Sequence, residues 1–237
     1  MLFRSPGNYQ IFYTYENAHG CTGTAGPVSI SVQNMPAFSC GNAFTDPRDG
    51  KSYPTALISG RCWFTANLNY GTALSTSPAQ PQTDNCVAEK YCPPSDPDCS
   101  SSGGYYQWDE LTGYQTIAGT RGLCPPGWHI PSALEWQQMI DNLVPAIPAP
   151  HANAITSPIL KDTTLSGGFH ALLQGVFFSN HTWIYHSGEL KSTLFWTSEP
   201  SGSQRGTGRG MNTKTPGISL YPADRDNAFP VRCIKDL

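Results

Sequence analysis

The sequence predicts an α+β domain that is rich in loops and stapled by disulfides. One amphipathic helix is clear, over residues 131–144, and one or two helices in all are expected. Around it lie many short antiparallel strands without the β-α-β alternation of a parallel sheet. The composition fits this, since 23 glycines, 21 prolines and 8 cysteines in 237 residues favour turns and cross-links over long elements. Aromatic residues make up 11% of the chain, too many for a solvated coil. The net charge is −3 with no basic run, which excludes a phosphate-tracking surface and so a nucleic-acid partner. No stretch approaches the roughly 20 apolar residues of a membrane span, so no direct membrane insertion is expected. Met1–Pro6 has no apolar signal core; a secretion signal would lie upstream.

Residues 1–36 read as a β-hairpin. Tyr9, Ile11, Tyr13 and Tyr15 alternate, Glu16–Gly20 turns, and Val28, Ile30 and Val32 alternate again. A different texture begins at Ala37, so residues 37–237 are expected to form the second and larger domain. Thr45–Lys51 is a turn with Asp49-Gly50 at its tip. Tyr53–Ile58 and Arg61–Leu68 are short strands around Ser59-Gly60. Residues 71–104 are polar and hold Cys86, Cys92 and Cys99. They cannot pack a core of their own, so cross-links stand in for burial. Tyr105–Leu111 is a candidate short helix.

The long helix has a capping box, with Ser132 at the N-cap and Glu135 three residues on. Trp136, Met139, Ile140 and Leu143 fall on one apolar stripe, and Pro145 ends it. Residues 145–168 are a Pro- and Ala-rich connection. Candidate strands follow near 169–173, 176–178, 182–185 and 194–197. The chain closes with Phe195–Glu199 at one end and Phe229, Val231 and Cys233, alternating against Arg232, at the other. Between these ends Pro200–Gly210 is nearly free of core-forming side chains. Two anchored ends holding an irregular loop is how a binding surface is displayed.

Eight cysteines without a CxxC pair read as disulfides formed in an oxidising compartment. Spacing favours Cys92–Cys99, Cys40–Cys62 and Cys124–Cys233, with other connectivities open and with Cys21 and Cys86 left over. No histidine flanks a cysteine to activate it as a nucleophile. Asp109 and Glu110 point about 100° apart on a helix and do not face one ligand, so they read as helix-start residues rather than a glycosidase pair. No catalytic residue is assigned, and an enzyme is not expected.

Seven motifs occur in order: Asp46–Tyr53, Cys62–Tyr70, Glu89–Cys92, Tyr105–Glu110, Leu123–Ser132 with Glu135 and Trp136, Phe195–Glu199 and Val231–Asp236. Together, over about residues 38–237, they resemble the Fibrobacter succinogenes major paralogous domain family. The resemblance implies a C-type-lectin-like fold and an extracellular or cell-surface location within a larger multidomain protein. It also implies company with immunoglobulin-like repeats. Gly7–Val32 resembles the last two strands of such a repeat, which would leave Cys21 without its natural partner; a strand pair of the main domain is the alternative. The chain departs from the family pattern after Gly168-Phe169, where Leu172–Phe177 replaces a glycine-rich run, and after Glu199, where an aromatic is missing. The family brings no established reaction.

Trp and Tyr among Gly and Ser are what ligand-binding surfaces favour. The candidate ligand-binding residues are therefore His181, Trp183, Tyr185 and His186 in Asn180–His186, with Arg205, Arg209, Asn212, Lys214, Tyr221 and Asp224 in the terminal loop. Trp183 and Tyr185 as core strand residues are the alternative. No metal ligand is assigned: His129, His151, His170, His181 and His186 lack zinc spacing. Asp84, Asn85, Glu89, Asp96 and Asp98 are oxygen donors that would suit Ca²⁺. They read better as solvated turn residues, and only Glu199-Pro200-Ser201 echoes a lectin calcium motif. No cofactor is expected. The function expected is recognition of a glycan or protein at a cell surface, adhesin-like. The resemblance adds that residues 196–228 sit where a diversity-generating retroelement rewrites codons in related domains. A structural cap or spacer of a surface fibre, and an enzyme of the formylglycine-generating type, are the other classes.

Overall fold

The computed structural model describes residues 7–16, 22–32, 38–143, 168–180, 182–184, 191–214 and 217–237. The chain divides into two compact units. The smaller is Met1–Ser39 with Asp84–Cys86. It contains β1 (Gly7–Glu16) and β2 (Thr22–Val32), an antiparallel pair that aligns Tyr9 with Ile30 and slips register between Ile11 and Tyr13.

The larger unit, Cys40–Thr83 with Val87–Leu237, is built from short strands. In chain order these are β3 (Phe44–Thr45), β4 (Ser52–Tyr53), β5 (Thr55–Ile58), β6 (Arg61–Phe64), β7 (Thr72–Leu74), β8 (Glu89–Tyr91) and β9 (Tyr106–Gln107). Helix α1 (Trp108–Thr112), β10 (Trp128–His129) and helix α2 (Ala133–Leu143) follow. Then come β11 (Val176–Phe177), β12 (Trp183–Ile184), β13 (Ser192–Pro200), β14 (Arg205–Asn212), β15 (Ser219–Asp224), β16 (Ala228–Phe229) and β17 (Ile234–Lys235). They form sheets ordered β10-β17-β6-β5, β12-β11-β16-β9 and β13-β14-β15, with the pairs β3-β4 and β7-β8. The last pair is parallel.

This corrects the expected α+β, C-type-lectin-like class: the described residues are mostly β, with helices of only 5 and 11 residues. The error has a physical source. The segment after Glu199 looked like a loop because its side chains are small, yet it pairs with both neighbours over most of its length. Arg205–Asn212 aligns with Ser192–Pro200 on one side and Ser219–Asp224 on the other. A strand can use glycine where another surface approaches closely. Gly206 does so: a Cβ there would lie 2.3 Å from Cδ1 of the buried Trp108 ring. The expected strand at 169–173 is also absent, and the backbone turns there through His170 at φ 51°.

Helix α2 follows its sequence cues. Ser132 N donates to Glu135 Oε2 at 2.8 Å, and Glu135 N to Ser132 Oγ at 3.1 Å. Trp136, Met139 and Ile140 enter a core with Trp63, Phe169, Phe195, Met211 and Ile234. The rings of Trp63, Trp136, Phe169 and Phe195 contact one another at 5.2–5.9 Å between centroids. A second cluster joins Tyr91, Tyr105, Phe177 and Ala228.

Strand alternation does not place Arg232 in water: it is 1% exposed. Its Nε donates to Asn67 Oδ1 at 2.9 Å, Nη2 to His170 O at 2.8 Å, and Nη1 to Phe169 O. The guanidinium lies 4.4 Å from the Phe169 ring centroid, so carbonyls and a π face replace its water. Burial lowers its pKa to about 9. Cys40–Cys62, Cys92–Cys99 and Cys124–Cys233 are bonded as expected. The last spans 109 residues, a loop worth roughly 4–5 kcal/mol in the chain-entropy model. Cys86 is also disulfide-bonded, and no described cysteine is free. Cys21 lies outside the described residues.

Candidate functional site

Phe177 in β11 pairs with Ala228 in β16, and this brings the turn after β11 against the turn after β15. Ser179 N donates to Asn227 Oδ1 at 2.9 Å across the junction. Asn180 Oδ1 accepts from Thr182 N at 3.2 Å, a local bond that Asn side chains favour in turns. The β14–β15 register places Arg205 opposite Asp224, and their side chains pair at 2.9 Å on the surface.

A cleft of about 390 Å³ opens between these parts, lined by Phe178, Asn180, Arg205, Tyr221, Asp224 and Asn227 among others. A second, of about 420 Å³, is lined by Asp109, Ser203, Gln204, Arg225 and Asp226, and shares Ser179 and Asp224 with the first. Ser179 and Asp224 line both clefts, together termed the trough. Tyr221 lines the first cleft and is 48% exposed on β15, at the edge of its sheet. The far wall is tied by hydrogen bonds and a ring contact. Arg225 lies 4.3 Å over the Trp108 ring and donates to Asp109 Oδ1 at 3.0 Å, while Trp108 Nε1 donates to Thr197 O at 3.0 Å. Gln107 Nε2 holds Asp226 O at 2.9 Å.

Of the expected binding residues, Arg205, Tyr221 and Asp224 line the trough. Arg209 does not. It is 5% exposed and donates to Ala133 O at 2.9 Å, behind helix α2, because residue 209 faces the core side of β14. Trp183 is half-buried, packed on Tyr105 and Phe177 at 4.8 Å each. Asn212 ends β14, roughly 24 Å from Arg205 at the rise of an extended strand, and Lys214 lies beyond it. His181, Tyr185 and His186 lie outside the described residues. Ser179, Gln204 and Asn227 were missed. Nothing in sequence distinguishes them from ordinary turn residues; β11–β16 pairing brings Ser179 and Asn227 together, and Gln204 O accepts from Arg225 N at 3.1 Å.

Two of the oxygen donors considered for Ca²⁺, Asp96 and Glu89, hold backbone amides. Asp96 accepts from Ser101 N at 3.1 Å and Ser102 N at 2.7 Å. Although burial opposes it, these bonds hold its carboxyl well below the usual range. Glu89 is buried and accepts from Thr83 N. Among the described residues no group of three or more His, Cys, Asp or Glu converges on a point. Asp109 and Glu110 face different ways: Asp109 holds Arg225, whereas Glu110 turns inward to Glu89 N and Tyr114 Oη. His129 is packed and hydrogen-bonded, with Nδ1 2.6 Å from Asp236 Oδ1 and Nε2 3.0 Å from Glu135 Oε1.

Residues 57–235 match the family model described as Fibrobacter succinogenes major domain. The chain belongs to that family. The trough lies wholly inside the Fibrobacter succinogenes major domain, and β1 and β2 lie outside the matched residues. No curated protein and no solved structure matches the chain, so the lectin-like architecture that the resemblance implied has no support from that side. Family membership and the disulfides are in keeping with an extracellular surface domain. No helix among the described residues is long and apolar enough to cross a membrane.

Proposed function

We propose that this Fibrobacter succinogenes major domain is a non-enzymatic recognition module of a larger cell-surface or secreted protein, and that it takes a glycan in the trough that Tyr221 lines. One observation carries the reading: the exposed Tyr221 lines one cleft together with Asp224, Arg205, Asn180 and Asn227, residues from three separated segments. A ring face takes the apolar face of a sugar at low entropic cost, and the polar groups take its hydroxyls. The test is a glycan array, with pull-down from the native habitat to catch a protein ligand instead. Tyr221→Ala, Asp224→Asn and Asn180→Ala change exposed side chains and leave the core intact. Each is expected to weaken the captured ligand at least tenfold; undiminished binding by the triple variant would remove the trough from consideration.

A second reading, a structural cap or spacer of a surface fibre, draws on other observations. Trp183 packs on Tyr105, Arg209 is tied to Ala133 O, and residues 200–222 are mostly paired strand. This reading expects no ligand on any array and a loss of fibre assembly when the domain is deleted. If a diversity-generating retroelement rewrites residues 196–228, burial of Trp196, Thr207, Arg209, Met211 and Ala223 confines tolerated change to exposed positions such as 219–222 and 224. A reverse-transcriptase gene with a template repeat beside the locus is the check.

A further inference from the structure

Away from the trough, two lysine amines converge on one asparagine. Lys90, on β8, is 4% exposed. Its Nζ lies 2.5 Å from Asn69 Oδ1 and 3.0 Å from Asn69 O. Lys51 Nζ hydrogen-bonds the same backbone carbonyl, with Asp49 as its carboxylate partner at 3.4 Å. Asn69 is held on its other sides. Its N–H donates to Tyr53 Oη at 3.1 Å, and its Nδ2 donates to Asp98 O at 3.4 Å. The Tyr53 ring stacks on Phe64 at 4.7 Å, and the fully buried Tyr106 donates its hydroxyl to Tyr70 O at 2.7 Å. Burial first, and then the neighbouring Lys51 charge, lower the Lys90 pKa to about 8. A sizeable fraction of the amine is therefore neutral and nucleophilic near pH 7.5.

We propose that Lys90 and Asn69 join in an intramolecular isopeptide bond. The neutral Nζ attacks Asn69 Cγ, so that the Nζ–Cγ bond forms and the Cγ–Nδ2 bond breaks. One proton passes from Nζ to Nδ2, with the Lys51 ammonium beside the pair as its carrier, and Nδ2 leaves as ammonia. Nothing is oxidised or reduced, and no co-reactant is needed. Holding amine and amide in contact supplies the proximity that an uncatalysed amide exchange lacks. A cleft of about 280 Å³ lined by Lys51, Tyr53, Asn69, Ser100 and Ser101 gives the ammonia a way out. The bond closes the segment between Asn69 and Lys90, which is too polar to hold itself by burial. It also adds a link that reductants cannot open beside the Cys92–Cys99 disulfide.

The test is mass spectrometry of the full chain after disulfide reduction. The expected mass is one ammonia below that of the sequence. Trypsin does not cut after an acylated lysine, so residues 62–121 should appear as one peptide carrying the deficit. Lys90→Met and Asn69→Ala should each restore the full mass, and Lys51→Met should slow the loss. A wild-type chain of full mass overturns the proposal whether or not the variants fold. So does an ammonia deficit with normal cleavage after Lys90, which would mark a succinimide at Asn69 instead.

Discussion

Gly206→Ala tests the claim that residues 200–212 are packed strand rather than displayed loop. A Cβ at 206 would stand 2.3 Å from Trp108 Cδ1, 2.6 Å from Cγ and 2.7 Å from Nε1. Carbon atoms in contact sit about 3.5–4.0 Å apart, so the ring or the strand must move by an ångström or more. Trp108 is 0% exposed and has no open side to swing into. Overpacking of this kind costs about 1–3 kcal/mol. Displacing the ring also breaks the Trp108 Nε1 bond to Thr197 O, and a buried donor left unpaired costs about 1–3 kcal/mol more. Alanine restricts the unfolded chain and returns about 0.4–1 kcal/mol. The net expectation is a destabilisation of about 2–4 kcal/mol, read as a lowered urea midpoint at unchanged slope. Gly210→Ala is the control on the same strand. Its nearest neighbour is the movable Ser219 Oγ at 3.1 Å, so its effect should stay under about 1 kcal/mol. If the two alanines cost the same, or Gly206→Ala costs nothing, the packing of β14 on Trp108 has been misread. Because Arg225 rests on that ring, the first variant should also weaken any trough ligand.

Two further outcomes follow from buried charge. Arg232→Met leaves the carbonyls of Phe169 and His170 and the Asn67 amide oxygen without donors, so a loss of at least about 2 kcal/mol is expected in the same urea assay; stability equal to the parent would mean that these carbonyls have water. The second outcome is a pH window around His129. Burial disfavours its charge, but the bonds to Glu135 and Asp236 outweigh it and raise the pKa above 6.5. For Glu135, burial is likewise outweighed, by His129 and Ser132, and the carboxyl falls from 4.5 to about 2. The histidine contribution is full below pH 6.5 and fades as pH rises through the raised folded value. The Glu135 contribution is full above pH 4.5 and fades as pH falls towards about 2. Melting temperature against pH should show both limbs, and His129→Gln should flatten the upper one; an unchanged upper limb would assign it to another group.

Local sequence cues proved sound where the interaction is itself local. The capping box of Ser132 and Glu135, the stripe of Trp136, Met139 and Ile140, and the short Cys92–Cys99 loop depend on neighbours a few residues away, and each appears as expected. The family, too, was readable, because its motifs are contiguous runs. Fold class was not. Whether a glycine-rich stretch is loop or strand depends on what lies against it. Here Trp108, about a hundred residues earlier, fills the space that the missing Cβ of Gly206 leaves.

The site divides in the same way. Exposed turn and edge positions such as Arg205, Tyr221 and Asp224 could be picked out by residue type and location, and they do share a surface. Arg209 carries the same chemistry but is buried, and Trp183 is half-buried. Which face of β14 looks at helix α2 is set by β13 pairing, and a ring such as Trp183 is placed by Tyr105 and Phe177. By itself the sequence determined the family and the best helix, since contiguous patterns and nearby contacts encode them, and it favoured three disulfide pairings without fixing the connectivity. Only the tertiary structure decided that the chain is mostly β, that Arg232 is buried, and that Ser179 and Asn227 complete a trough with Tyr221. Those outcomes rest on contacts between residues tens of positions apart, whose energies no local pattern records.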